Sequence, residues 1–141
     1  MPEESSSLPT PVPVAFLLCD QIIVDSTTGK KTIVGVFDRI TVEQFPANHR
    51  TAWLFARVID CEGEYAFKIE YLQVSTQTVL IEGQGTASSN YRHLYTDIVS
   101  QWPLIHIPEP GEYEFRLWMN NKFISSIRLT ALPRSEVEVQ L

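Results

Sequence analysis

Two stretches of the chain alternate strictly between apolar and polar residues. In Glu112-Tyr-Glu-Phe-Arg-Leu-Trp-Met119, Tyr113, Phe115, Leu117 and Met119 share one face, and Glu112, Glu114 and Arg116 share the other. Glu64-Tyr-Ala-Phe-Lys-Ile-Glu-Tyr71 repeats the pattern, with Tyr65, Phe67, Ile69 and Tyr71 inward and Glu64, Lys68 and Glu70 outward. A period of two with one wet face is that of a half-buried β-strand. No window of similar length carries a helical stripe, although residues 88–100 are ambiguous enough to hold a helical turn.

Turn residues divide the remaining apolar runs. Asp25-Ser-Thr-Thr-Gly29 separates residues 14–24 from 31–42, and Gly29 supplies the positive φ such a loop needs. Asp60-Cys-Glu-Gly63 separates 51–59 from 64–74 as a solvated hairpin. Asn120-Asn121 suits a type I′ hairpin, because Asn tolerates the left-handed region. Pro108-Glu-Pro-Gly111 stops the chain before the Tyr113 strand. With 78–87, a strand near 102–107 and a last strand after Asn121, about eight strands are expected, spaced as in a sandwich. The expected fold is all-β, a single antiparallel β-sandwich, immunoglobulin-like. Its expected core includes Phe16, Leu18, Ile23, Val34, Val36, Tyr65, Phe67, Ile69, Tyr113, Phe115 and Leu117.

Composition sets the domain limits. The chain has 141 residues, a size for one domain. Residues 1–13 hold four of the nine prolines and a Ser5-Ser6-Ser7 run, and read as a disordered arm. Residues 14–132 form the sandwich domain, and 133–141 a C-terminal tail cut off by Pro133. The end of that tail, Glu136-Val-Glu-Val-Gln-Leu141, alternates like a strand and is expected to pair with a sheet edge.

Charge narrows the function classes. A net charge of -6 without a Lys/Arg cluster argues against nucleic acid, since phosphate contacts supply most of that affinity. The longest apolar run, residues 14–19, is too short to span a bilayer, so no membrane partner is expected. Nothing basic or apolar opens the chain as a secretory signal does. Two cysteines make no disulfide framework, and Cys19 and Cys61 are expected as free thiols in the cytoplasm.

Candidate chemistry is sparse. His49, His93 and His106 stand alone, with no carboxylate at a fixed offset. Asp60, Glu62 and Glu64 form the one acidic cluster and are a weak metal candidate, because one loop with three carboxylates falls short of the oxygens a hard cation takes. Gly83-Gln-Gly85 lacks the Lys and helix of a phosphate loop and fits a bulge or tight curve. Ser125 and Ser126 lack a nucleophile elbow. No catalytic residue, cofactor or metal is assigned, and no enzyme activity is expected. The more informative stretch is Asn90-Tyr-Arg-His-Leu-Tyr95. Tyr91, Arg92, His93 and Tyr95 make a candidate binding surface, joined by Trp118, whose alternation puts an indole on the wet face.

Two blocks resemble a known family. Leu18-Cys-Asp-Gln-Ile-Ile-Val-Asp25 with Gly29-Lys-Lys-Thr-Ile-Val-Gly-Val-Phe37 is similar to the opening of an uncharacterised family of small bacterial proteins. Pro108-Glu-Pro-Gly-Glu-Tyr-Glu-Phe-Arg-Leu117 is similar to that family's end. The resemblance implies a stand-alone bacterial β-sandwich with no assigned activity. The expected function is a non-enzymatic protein–protein interaction module, an accessory or assembly subunit binding another protein or a second copy of itself. The alternative is a small-ligand or carbohydrate-binding sandwich using aromatics near one loop end.

Overall fold

A computed structural model describes residues 7–137, without the side chains of Glu136 and Val137. Among these residues, nine strands form two packed sheets. They are β1 (Val12–Val24), β2 (Lys31–Val36), β3 (Arg39–Val42), β4 (Ala47–Ile59), β5 (Gly63–Gln73), β6 (Thr78–Ser89), β7 (Thr96–Ile107), β8 (Gly111–Met119) and β9 (Lys122–Pro133). One sheet has the order β2-β1-β4-β7, the other β3-β9-β8-β5-β6. A single helical turn, α1 (Arg134–Val137), follows β9.

The ninth strand arises because the run 31–42 is not one strand. It leaves the first sheet after Val36 and enters the second at Arg39. At the crossing, Phe37 N donates to Leu18 O at 3.0 Å and Thr130 N donates to Asp38 O at 2.9 Å. The connection is thus bonded to β1 of one sheet and β9 of the other. It delivers β3 running parallel to β9, the one exception to an otherwise antiparallel sandwich. Asp60–Gly63 also joins strands of different sheets, β4 and β5, so it is an arch and not the expected hairpin. Asn120 and Asn121 have φ of 48° and 64°, the type I′ turn that two asparagines favour. Residues 88–100 hold no helix: they end β6, make a short loop and begin β7.

Apolar side chains from both inner faces fill the space between the sheets. Tyr65, Ile69, Tyr113, Phe115 and Leu117 are at most 1% exposed, and Phe16 and Leu18 join them. Phe115 sits where the sheets meet, its ring 5.4 Å from Trp102 of β7 and 4.8 Å from Tyr71 of β5. The Tyr71 hydroxyl crosses the core to donate to His106 O at 2.9 Å. Burial pushes its pKa up, with Tyr113 adding to the shift, so it stays a neutral donor. Phe67 is half-buried over Gly85, where any Cβ would collide with its ring. The ladder's irregularity falls at Tyr71/Leu72, so of the expected bulge or tight curve the bulge is not at Gly85, which marks a close approach.

Three expected core residues are exposed: Ile23, Val34 and Val36. Ile22 is buried in their place, in a second cluster with Cys19 and Phe55 that Ala15, Leu17, Ile33, Trp53 and Val99 flank. These residues lie on the outer face of the four-stranded sheet, opposite Leu54, Ala56 and Ile98. They are covered because the β1–β2 hairpin folds back over them. Ala15 pairs with Arg57 and Arg57 with Asp97, whereas Lys31 pairs with Val24. On a straight strand, at about 3.3 Å per residue, Val24 would stand about 30 Å beyond Ala15. Yet Lys31 Nζ lies 3.0 Å from Asp97 Oδ2. The fold is made at Gly35, where φ is 69° and a side chain would collide with the Asp20 carboxylate. Past that bend the alternation reverses, so Ile22 and Ile33 turn down onto the sheet and Ile23 and Val34 turn out.

Both ends differ from the sequence expectation. Leu8 packs against the core, Pro11 is buried, and the Tyr65 hydroxyl donates to Pro9 O at 2.8 Å. Ordered chain therefore begins before residue 14: Leu8 and Pro11 supply apolar surface that the Pro/Ser composition masks. Residues 1–6 of the arm lie outside the described residues. At the other end, Pro133 closes β9 and residues 134–137 turn helically where Glu136 and Val137 were expected to begin a strand, with Arg134 Nε 3.1 Å from Glu43 Oε1. Glu138, Val139, Gln140 and Leu141 lie outside the described residues.

Burial separates two substitutions that alternation alone would treat alike. Phe115→Ala should cost about 3–5 kcal/mol, whereas Ile23→Ala should cost under about 1 kcal/mol, both measured by denaturant unfolding.

Candidate binding surface

The loop that carries four of the candidate residues, 90–95, joins β6 to β7. Its base is set by Arg57. That guanidinium interrupts the apolar run of β4 and grips Asp97 directly opposite on β7, with Nε to Oδ1 at 2.7 Å and Nη2 to Oδ2 at 3.0 Å. A planar fork meeting a carboxylate in two hydrogen bonds is among the stronger polar contacts. The same guanidinium lies 5.0 Å from the Tyr95 ring centroid and 5.8 Å from that of Phe55. Both distances are within cation–π range. Lys31, from the folded hairpin, shares Asp97 Oδ2 with Arg57 Nη2, its Nζ 3.0 Å away.

Asp97 therefore ties three elements together: β4, the hairpin and the start of β7. Burial alone would push its carboxyl up. Hydrogen bonds from Arg57 and Lys31, with the attraction of both cations, outweigh that and hold it below the ordinary range. The thiol of Cys19, buried beneath the hairpin, is pushed up chiefly by desolvation, which disfavours its thiolate. Cys61 is also buried and free, its thiol raised by the same cause.

The loop is anchored at its middle as well. Asp60 N donates to Arg92 O at 3.1 Å, and Arg92 Nε lies 3.7 Å from Asp60 Oδ1. Tyr91 N donates to Ser89 Oγ at 3.2 Å, and Tyr91 meets His93 edge-on at 5.9 Å. With its backbone held, the loop leaves Tyr91, Leu94 and Tyr95 about half exposed.

Trp118 does not join this group. It lies on the outer face of the five-stranded sheet, where Nε1 donates to Glu70 Oε1 at 2.8 Å. Lys68 Nζ stands 5.5 Å from its ring and Phe123 meets it edge-on at 5.6 Å. Asp60, Glu62 and Glu64 do not converge either: Asp60 faces Arg92, and Glu64 extends along β5. Among the described residues no three His, Cys, Asp or Glu side chains are grouped to hold a metal ion. No helix there is long and apolar enough to cross a membrane.

Sequence reasoning missed Lys31, Arg57 and Asp97, which organise the surface. Arg57 was the available signal, a lone cation within Ala52-Trp-Leu-Phe-Ala-Arg-Val-Ile59. Its partner Asp97, 40 positions away, and Lys31, which meets the same carboxylate from 66 positions away, needed the fold.

Asp97→Asn should loosen the hairpin. Losing charge-assisted hydrogen bonds costs about 1.5–3 kcal/mol, here at the low end because Lys31 and Arg57 are partly solvated. Amide exchange in residues 20–35 should quicken while β8 is unaffected. The folded carboxyl lies below its unfolded value of about 3.9. Its contribution is therefore complete above that value and lost as pH falls through the lower folded value. Stability against pH should show an acid limb in the native chain that is reduced in the Asp97→Asn variant.

No curated protein matches the chain. The model of a family of unknown function (DUF6941) matches residues 14–132, which is nearly all of the described sandwich. The chain belongs to that family of unknown function, DUF6941.

Proposed function

We propose that this chain is a non-enzymatic protein–protein interaction module of the bacterial cytoplasm. It acts as an accessory or assembly subunit that meets another protein, or a second copy of itself, through the 90–95 loop. One observation carries this reading: Tyr91, Leu94 and Tyr95 are 59%, 49% and 57% exposed on a loop whose base and middle are held by Arg57 and Asp60. Large apolar and aromatic side chains on a pre-organised support lose little entropy on contact, which is the setting of an interface hot spot.

The outward exposure of Tyr91, Leu94 and Tyr95 favours a protein over a small ligand. Clefts of about 240–350 Å³ elsewhere on the surface are lined by other residues. A small ligand needs concave walls that bury most of its surface. The immunoglobulin-like assignment is supported by Tyr113 at the start of β8. Its hydroxyl donates to Glu109 O at 2.6 Å and accepts from Glu109 N at 3.1 Å, the local lock that recurs in immunoglobulin-like sandwiches.

Tyr91→Ser with Tyr95→Ser, on the full chain, tests the reading. Crosslinking in the native host followed by mass spectrometry should lose the principal crosslinked partner in this double variant and keep it in Trp118→Ala. Equal capture by all three chains would rule out the loop as the contact.

A further inference from the structure

The outer face of the five-stranded sheet carries a feature that the loop reading does not use. A cleft of about 340 Å³ opens beside the β8–β9 turn, lined among others by Lys68, Glu82, Gln84, Trp118, Asn120 and Asn121. Its volume falls in the lower part of the usual range for small-molecule sites, about 300–1,000 Å³.

The walls are fixed. The hydrogen bond from Trp118 Nε1 to Glu70 and the edge contact with Phe123 hold the indole in one orientation. The Asn120–Asn121 turn is tied to β5 twice: Asn120 N donates to Ala66 O at 2.8 Å, and Ala66 N donates to Asn120 Oδ1 at 2.9 Å. On the opposite side, Gln84 Nε2 donates to Glu82 Oε2 at 2.6 Å, setting an amide and a carboxylate side by side. A site whose side chains are already held costs little ordering on binding.

The chemistry of the lining selects the ligand. Lys68 faces two carboxylates, Glu82 in the lining and Glu70 beside the indole, so an anion gains no net attraction, and a cation would have to displace the Lys68 ammonium that already stands over the ring. Lys68 is also already engaged with the Trp118 ring and lies 3.6 Å from Glu70 Oε2. What remains is a flat apolar ring beside groups that both donate and accept, the amides of Gln84 and Asn121, with Glu82 as acceptor. Hydroxyls do both in the same way. A ligand with one apolar face and a rim of hydroxyls satisfies the whole set. We infer that the Trp118 cleft binds a neutral saccharide, one pyranose face against the indole and its hydroxyls on Glu82, Gln84 and Asn121.

This site is separate from the 90–95 loop, so either can fail without the other. The test titrates the full isotope-labelled chain with millimolar maltotriose, cellotriose and chitotriose, followed by NMR of the Trp118 indole N–H and the side-chain amides of Gln84, Asn120 and Asn121. At least one trisaccharide should shift these signals saturably. Trp118→Ala and Gln84→Ala should each weaken binding about tenfold or more, about 1.4 kcal/mol, with Gln84→Ala keeping the claim testable if the tryptophan variant fails to fold. Absence of shifts with all three sugars overturns the inference. So do shifts confined to Tyr91–Tyr95, or equal shifts of the same signals by acetyl-lysine methylamide and by its unacetylated cation.

Discussion

The four-stranded sheet is apolar on both faces, and the rest of the molecule is arranged around that constraint. A strand packed on one side alternates cleanly. β4 instead places Leu54, Ala56 and Val58 inward and Trp53 and Phe55 outward, so each face needs its own cover. The five-stranded sheet covers the inner face. The outer face is covered by the chain's own β1–β2 hairpin, turned back at Gly35 and fastened by Lys31 to Asp97. Left uncovered, Phe55, Trp53 and Val99 would make the kind of contiguous apolar patch that invites association.

The fastening and the candidate surface are one network. Arg57 holds Asp97, Asp97 holds Lys31, and the Arg57 guanidinium underlies Tyr95. The contact that closes the hairpin therefore also steadies one end of the exposed loop. Asp60 steadies its middle from the β4–β5 arch. The outer face of the other sheet is different in character, an ion-paired surface where Glu114 serves both Arg116 and Arg128 and where Trp118 stands out.

Much of the fold was legible because alternation is a local property. Tyr113, Phe115 and Leu117 declare their face within nine residues, and Asn120-Asn121 declares its turn in two. The misassigned positions share a different physics. Ile23 and Val34 continue an apolar run, but the run bends at Gly35 and its phase reverses, which no period count detects, while Val36 is left exposed on the edge strand β2. The break at Phe37-Asp38 carries no Gly or Pro, so the change of sheet is invisible until β1 and β9 are both in place. The site was half legible for the same reason. Tyr91, Arg92, His93 and Tyr95 are neighbours in sequence and were grouped together. Trp118 was grouped with them on its unusual face alone and lies elsewhere. Arg57, Asp97 and Lys31 come together only through pairing across strands.

The folded-back hairpin is the claim on which this account rests, and proximity between methyl groups measures it most directly. NMR of the methyl-labelled chain should give nuclear Overhauser contacts from Ile22 and Ile33 to Val99, and from Ile33 to the Phe55 ring. Neither isoleucine should contact Leu54 or Ile98 on the inner face. A hairpin that extends straight from the sheet would give none of the contacts to Val99 or Phe55, and that result would contradict the account.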